Sequence, residues 1–308
     1  MTRSRSLTAR AVMALLLMAG FYLMALGISG ALVWVPYAEW TYLGRVHFKI
    51  AAMCLGAAGG VLWSVMPRAD RFEPPGPQLT PANAPRLFRI IQEVARATAQ
   101  ESPSEVYLLN EVNAWVTHRG GVMGLGSRRV MGVGLPLLAH LSVDELKAVI
   151  AHEFGHYVSG DVSLGPWIHK TRSAIGRAVA ATHDTFLEKP FQAYGRLFLK
   201  TTLTVSREQE FVADRTAAQV AGTMSAVSAL RRVATLGPAY SVYFNSEVLP
   251  VLRAGFMPPI AGGFQGYLAA PGTAEHFDRL IDEPETDAST GEFDSHPPMA
   301  DRIKALNG

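Results

Sequence analysis

The chain has 308 residues, a formal net charge of +2 and 18% charged residues. That near-neutral balance, with no basic stretch interleaved with aromatics, excludes a nucleic-acid footprint. A single cysteine, Cys54, excludes an intrachain disulfide and a cysteine-based zinc site.

Residues 1–10 carry Arg3, Arg5 and Arg10 and no acid, and read as a tail. Ala11 to Val35 has no charge and exceeds the roughly 20 residues that a membrane helix needs. Its apolar part is too long for a signal peptide, and no small-residue cleavage site precedes polar sequence. Ile50 to Met66 is a second uncharged run, with Gly56, Gly59 and Gly60 suited to close packing. Residues 11–66 are therefore expected to form a two-span hairpin, its loop running from Pro36 to Lys49 with Tyr37, Trp40 and Tyr42 at the interface. The arginines of the tail, with Arg68 and Arg71 after the second run, put the tail and the remaining chain on the cytosolic side of the cell (inner) membrane.

Residues 67–84, with Pro67, Pro74, Pro75, Pro77 and Pro81, read as a linker. The residues from 85 to 308 then form one domain. A helix is expected over Pro85–Gln100, burying Leu87, Ile90, Ile91 and Val94. Short strands follow at Glu105–Leu109, Ala114–Thr117 and Arg129–Val133, separated by Gly120, Gly121, Gly124 and Gly126. They suggest a small curved sheet packed on helices. Asn113 to Val116 is a candidate edge for an extended peptide.

Ser142 with Glu145 three residues later forms a capping box, so a helix should run from Val143 to Tyr157. Inside it lies Ala-His-Glu-Phe-Gly-His, Ala151 to His156. His152 and His156, four apart, share a helix face. This is the H-E-x-x-H pattern: two imidazoles for a zinc ion, with Glu153 as the carboxylate that takes a proton from water. The bland alternative is two half-buried histidines with Glu153 salt-bridged, but such groups are costly to bury unless something satisfies them. Gly155 permits close backbone approach, and Gly160 is a stop signal. Asp161 could serve a ligand imidazole or cap the helix.

Residues 166–200 hold His169, Lys170, Arg172 and Arg177 among apolar residues, too many charges for a span. A third zinc ligand is needed. His169, His183, His276 and His296 are available, but Ser206 to Arg215 offers Glu210 and Asp214, four apart on a helix containing Phe211, Val212 and Ala213. Glu210 as ligand and Asp214 as partner of a ligand histidine is one assignment. A surface acid pair beside Arg207 and Arg215 is the other.

Leu141 to Asp161, together with Glu-Phe-Val-Ala-Asp at 210–214, resembles the membrane zinc metalloendopeptidases that include HtpX and the CAAX-type prenyl-protein endopeptidases. The resemblance implies His152, His156 and Glu210 as ligands of one Zn2+ per chain, Glu153 as catalytic base and Asp214 as the acid supporting the site. Arg207 matches the family's S-R-x-x-E element. Asn113, Ala114, Trp115 and Val116 resemble an element that lines the family's substrate cleft. Ser295 to Ile303 resembles a late H-P-x-x-x-x-R-I signature, which implies His296 and Arg302 near the active site as oxyanion partners.

Beyond Gly222 a helix is expected from Met224 to Thr235. Pro238 to Pro271 is compatible with a lid, a bilayer contact or ordinary core. Residues 282–291 read as an acidic surface loop. The fold class is then α+β: a mainly helical, zincin-type domain with a small sheet, preceded by two transmembrane helices. The expected function is zinc-dependent hydrolysis of protein or peptide substrates, misfolded or regulatory membrane proteins among them, with membrane lipid as the other partner and no nucleic acid. The alternative is a membrane-anchored zinc-binding scaffold without turnover.

Overall fold

A computed structural model describes residues 2–66, 72–120, 127–158, 164–273, 275, 277 and 297–308. The fold is mainly helical with one four-stranded sheet, as the sequence pattern suggests. Two compact units are present. One holds α1 (Thr2–Leu43), α2 (Phe48–Val65), α6 (Leu164–Ala181) and α7 (Glu188–Ala221) as far as Glu208. The other holds the sheet, α3 (Pro85–Ala97), α4 (Leu135–His140), α5 (Val143–Val158), α7 from Gln209, α8 (Thr223–Tyr243), α9 (Leu249–Arg253), α10 (Ile260–Ala269) and α11 (Met299–Asn307).

In the first unit, Val12–Leu43 and Phe48–Val65 are the two helices, among the described residues, long and apolar enough to cross a membrane. The expected loop from Pro36 to Lys49 is much shorter. Helix α1 continues through Pro36 to Leu43, and only residues 44–47 separate it from α2. One proline removes a single backbone bond to the preceding turn. The residues after it keep theirs, and Thr41 adds a hydroxyl bond to the Tyr37 carbonyl at 2.8 Å. Glu39 clasps the turn through His47, at 3.0 Å to its N–H and 2.9 Å to its ring.

Helices α6 and α7 pack on α1 and α2 through Phe21, Val61, Ile175, Ala178, Phe191 and Phe198, all buried. The Phe21 ring meets Phe191 edge-on at 6.3 Å. Tyr194 donates its hydroxyl to the Leu17 carbonyl at 2.6 Å, and Arg177 Nε donates to the Ser64 carbonyl at 2.9 Å.

In the second unit the strands are β1 (Gln78–Leu79), β2 (Glu105–Leu109), β3 (Ala114–Arg119) and β4 (Arg128–Gly134), in the order β1-β2-β4-β3. The β2–β4 pair is parallel, with Glu105 opposite Val130; β3 is antiparallel to β4 and forms an edge. β1, within the proline-rich stretch, pairs antiparallel with β2. Val106, Val116, Met131 and Val133 point from the sheet into one core with Ile91 and Val94 of α3 and Ile150 and Phe154 of α5. Burial of a residue such as Phe154, fully enclosed, contributes about 2–3 kcal/mol.

The capping box sets where α5 begins. The Ser142 N–H donates to Glu145 Oε2 at 2.8 Å, and the Glu145 N–H donates to Ser142 Oγ at 3.2 Å. Glu145 is itself buried and accepts from Ser228 Oγ at 2.5 Å, with Arg232 Nε at 3.0 Å. One carboxylate thus ties the start of α5 to α8.

Residues 238–271 form the end of α8, a π-helical turn at Phe244–Val248, α9 and α10. Tyr240, Tyr243, Val248 and Phe264 make a buried aromatic core with Leu236. Of the three readings open for this stretch, core describes these few side chains, while Phe256 and Met257 between α9 and α10 are exposed. Gly160, Asp161, His276, His296 and the expected loop at 282–291 lie outside the described residues.

Candidate metal centre

Helices α5 and α7 approach closely at one glycine. A Cβ on Gly155 would sit 2.6 Å from Cα of Ala213 and 3.1 Å from Cβ of Thr216. No other residue fits there without displacing backbone. That approach brings the His152/His156 face of α5 against the Glu210/Asp214 face of α7.

His152 Nε2 lies 3.6 Å from Glu210 Oε2, and His156 Nε2 lies 3.8 Å from Glu210 Oε1. The imidazole rings meet edge-on at 4.9 Å. The three donor atoms lie within 4.8 Å of one another. A tetrahedral zinc with bonds of about 2.0–2.2 Å separates its ligand atoms by roughly 3.3–3.6 Å. The His/His/Glu donor set and its spacing therefore fit such an ion.

Asp214 stands behind the cluster. Its Oδ1 is 3.0 Å from His152 Nδ1, the ring nitrogen turned away from Glu210. Arg302, from α11, donates Nε to Asp214 Oδ2 at 2.8 Å and Nη2 to Oδ1 at 2.6 Å. The same Nη2 is 3.5 Å from Glu210 Oε2. Burial pushes the Asp214 carboxyl up, but Arg302 and His152 outweigh it and hold the pKa down at about 2. Burial lowers the Arg302 pKa, and Asp214 with Glu210 and Glu153 raises it by more.

A cleft of about 300 Å³ opens beside the cluster. His152, Glu153, Asp214 and Arg302 are its charged and imidazole lining. Leu137, Val149, Ala226, Leu230, Val233 and Met299 make the rest predominantly apolar.

A family model, Peptidase family M48, matches residues 81–308. The chain belongs to peptidase family M48. Among M48 relatives, Protease HtpX of Pseudomonas putida is 26% identical over 246 residues, covering 71% of this chain and 70% of its own length. The HtpX homologue of Thiobacillus denitrificans is 26% identical over 298 residues, covering 88% and 89%. That of Nitrosomonas europaea is 24% identical over 318 residues, covering 96% and 95%. No solved structure matches the chain. M48 membership and the His/His/Glu cluster make this chain a zinc metalloendopeptidase. With its two membrane-length helices it is a multi-pass protein of the inner membrane.

The M48 chain brings together His152, Glu153, His156, Glu210, Asp214 and Arg302, from three helices distant in sequence. Of the Asn-Ala-Trp-Val element, Asn113 and Ala114 line the cleft. Val116 faces the core, and the Trp115 ring lies over Gly132, leaving no room for a Cβ there. Arg207 stands on the part of α7 that belongs to the other unit. Of the other histidines considered, His169 also lies in that unit, and His183 is exposed there beside Asp184 and Glu188. Glu188 is occupied as a turn cap, accepting from the Asp184 N–H at 3.0 Å and from Gln192 at 2.6 Å.

Sequence reasoning missed the α8 wall of the cleft. Ala226, Ala229, Leu230 and Val233 recur at helical spacing, so the face was visible as apolar. Nothing local distinguishes a cleft wall from buried core.

Proposed function

We propose that this chain is a membrane-anchored endopeptidase that holds one Zn2+ on His152, His156 and Glu210 and cleaves protein substrates on the cytosolic side of the inner membrane. The observation that carries this reading is the convergence of three donors from α5 and α7, one of which, His152, lines an apolar cleft together with Glu153. The curated relatives are HtpX proteases, so the reading follows that branch rather than the prenyl-protein endopeptidases.

When bound, zinc supplies Lewis-acid polarisation of a carbonyl and lowers the pKa of water. Glu153, next to the first ligand and facing the cleft, takes the proton from the attacking water and delivers it to the leaving amine. Asp214 fixes His152 through Nδ1, so that Nε2 stays turned toward Glu210. Arg302 keeps Asp214 ionised and in place, and with His296 is the candidate partner for oxyanion charge. An extended segment beside edge strand β3, with an apolar side chain in the cleft, is the substrate geometry that fits. Misfolded or regulatory membrane proteins expose such segments.

The test is removal and return of the metal. A chelator should abolish casein cleavage by the purified full chain in detergent, and stoichiometric zinc should restore it. His156→Ala should bind less zinc and should not be rescued. Cleavage that persists in the metal-free protein would overturn the reading.

A further inference from the structure

A second cavity lies entirely within the unit that carries the membrane-length helices. It has a volume of about 430 Å³ and is lined by Arg172, Ile175, Gly176 and Val179 of α6 and Gln192, Gly195, Arg196, Phe198 and Leu199 of α7. Among the described residues no carboxylate lines it. The lining is apolar apart from two guanidinium groups and one amide.

Arg196 is exposed, and Arg172 is half-buried. Among the described residues, Arg172 Nε is buried without a hydrogen-bond partner. A buried donor left unmet is costly, and more so on a charged group. An anion supplied from outside would satisfy it.

The depth of the cavity can be fixed from two bonds. Arg177, about a turn from Arg172, donates to the carbonyl of Ser64, near the end of the second membrane-length helix. Tyr194, two residues before Arg196, donates to the carbonyl of Leu17, early in the first. Both levels belong to the same end of the hairpin, the end at which α1 begins with the basic residues of the tail. With the tail on the cytosolic side, as its arginines imply, that level is the headgroup region of the cytosolic leaflet, where basic pockets between membrane helices hold anionic headgroups.

We propose that this cavity binds an anionic phospholipid. The phosphate lies between Arg172 and Arg196, and an acyl chain lies along Ile175, Val179 and Leu199. A zwitterionic lipid carries a compensating cation that two neighbouring arginines disfavour. The proposal does not depend on the peptidase reading, since zinc content and casein cleavage are measured separately from lipid retention.

One glycine makes a clean test available. A Cβ added at Gly176 would meet nothing within 4 Å, so Gly176→Leu fills the cavity without touching backbone. The full chain in mild detergent would be exposed to equal amounts of phosphatidylglycerol and phosphatidylcholine, and bound lipid counted by native mass spectrometry. Wild type should retain phosphatidylglycerol over phosphatidylcholine by roughly tenfold. Gly176→Leu should lose that retention with both arginines intact, and Arg172→Gln/Arg196→Gln should lose the preference. If the double variant fails to fold, Gly176→Leu decides alone. Added inorganic phosphate should leave the lipid bound. Equal retention of the two lipids by wild type, or a preference that survives the variants that fold, would overturn the proposal. Displacement of the lipid by inorganic phosphate would assign the cavity to a free anion and overturn it as well.

Discussion

Arg302 grips Asp214 with two nitrogens, at 2.8 and 2.6 Å, across 88 residues of sequence. The carboxylate it grips lies 3.0 Å from Nδ1 of His152. The last described helix is thereby linked, through Asp214, to the first residue of the metal cluster. Arg302→Lys keeps the charge but loses the planar fork. Zinc affinity, measured by chelator competition, should fall by roughly 10- to 100-fold, the usual cost of losing a partner behind a ligand. Unchanged affinity in both Arg302→Lys and Arg302→Ala would show that the pair does not tune the site.

Gly155 is the point where α5 and α7 touch, and a methyl there would lie 2.6 Å from the Ala213 backbone. Gly155→Ala should destabilise the protein by about 1–3 kcal/mol through forced separation of the helices. Because the same separation pulls the histidines from Glu210, zinc content should fall with it. A melting temperature and zinc content equal to wild type would contradict this geometry.

The capping box and the spacing of His152 and His156 were legible because both are properties of one helix. The α7 acid pair was legible only as a pair. Whether Glu210 and Asp214 face solvent or α5 depends on the contact at Gly155 and Ala213, which no spacing within α7 encodes. Strand β1 was hidden for the same reason, since two residues among prolines become a strand only by pairing with Val106 and Tyr107. The stretch after Pro238 showed no register because a π-helical turn at Phe244–Val248 shifts the periodicity partway through. The Asn-Ala-Trp-Val element points to the cleft only through its first two residues, since alternation along β3 turns Trp115 to the opposite face from Ala114 and Val116.

His140 gives the aromatic core a pH dependence. Its ring meets Phe264 edge-on at 4.8 Å, and Nε2 is buried without a hydrogen-bond partner among the described residues. Burial, and then Arg232, lower its pKa below the ordinary 6.5. The folded state therefore takes up this proton less readily than the unfolded chain. Stability is full above about pH 6.5 and declines as the pH falls through that value toward the folded pKa. His118 is shifted the same way, by burial and then Arg129. His140→Phe should flatten the fall in melting temperature between about pH 7 and about pH 5.5. An undiminished slope in that variant would assign the dependence to other groups.

Val233, on α8, lines the cleft and is not fully buried. Val233→Trp should occupy much of the 300 Å³ space while leaving the donors in place. Casein cleavage should drop by about tenfold or more, within the range a reshaped apolar subsite commands, with zinc content preserved. Full activity would place the substrate elsewhere.

The most direct measurement is zinc content and casein cleavage, side by side, for purified wild type and Glu153→Gln in detergent. The substitution removes the carboxylate that handles the proton and none of the three donors. Zinc should be present at one per chain in both proteins, and cleavage should fall by about 10²- to 10⁴-fold in the variant. Wild-type rates in Glu153→Gln, or no zinc in either protein, would contradict the account of this centre.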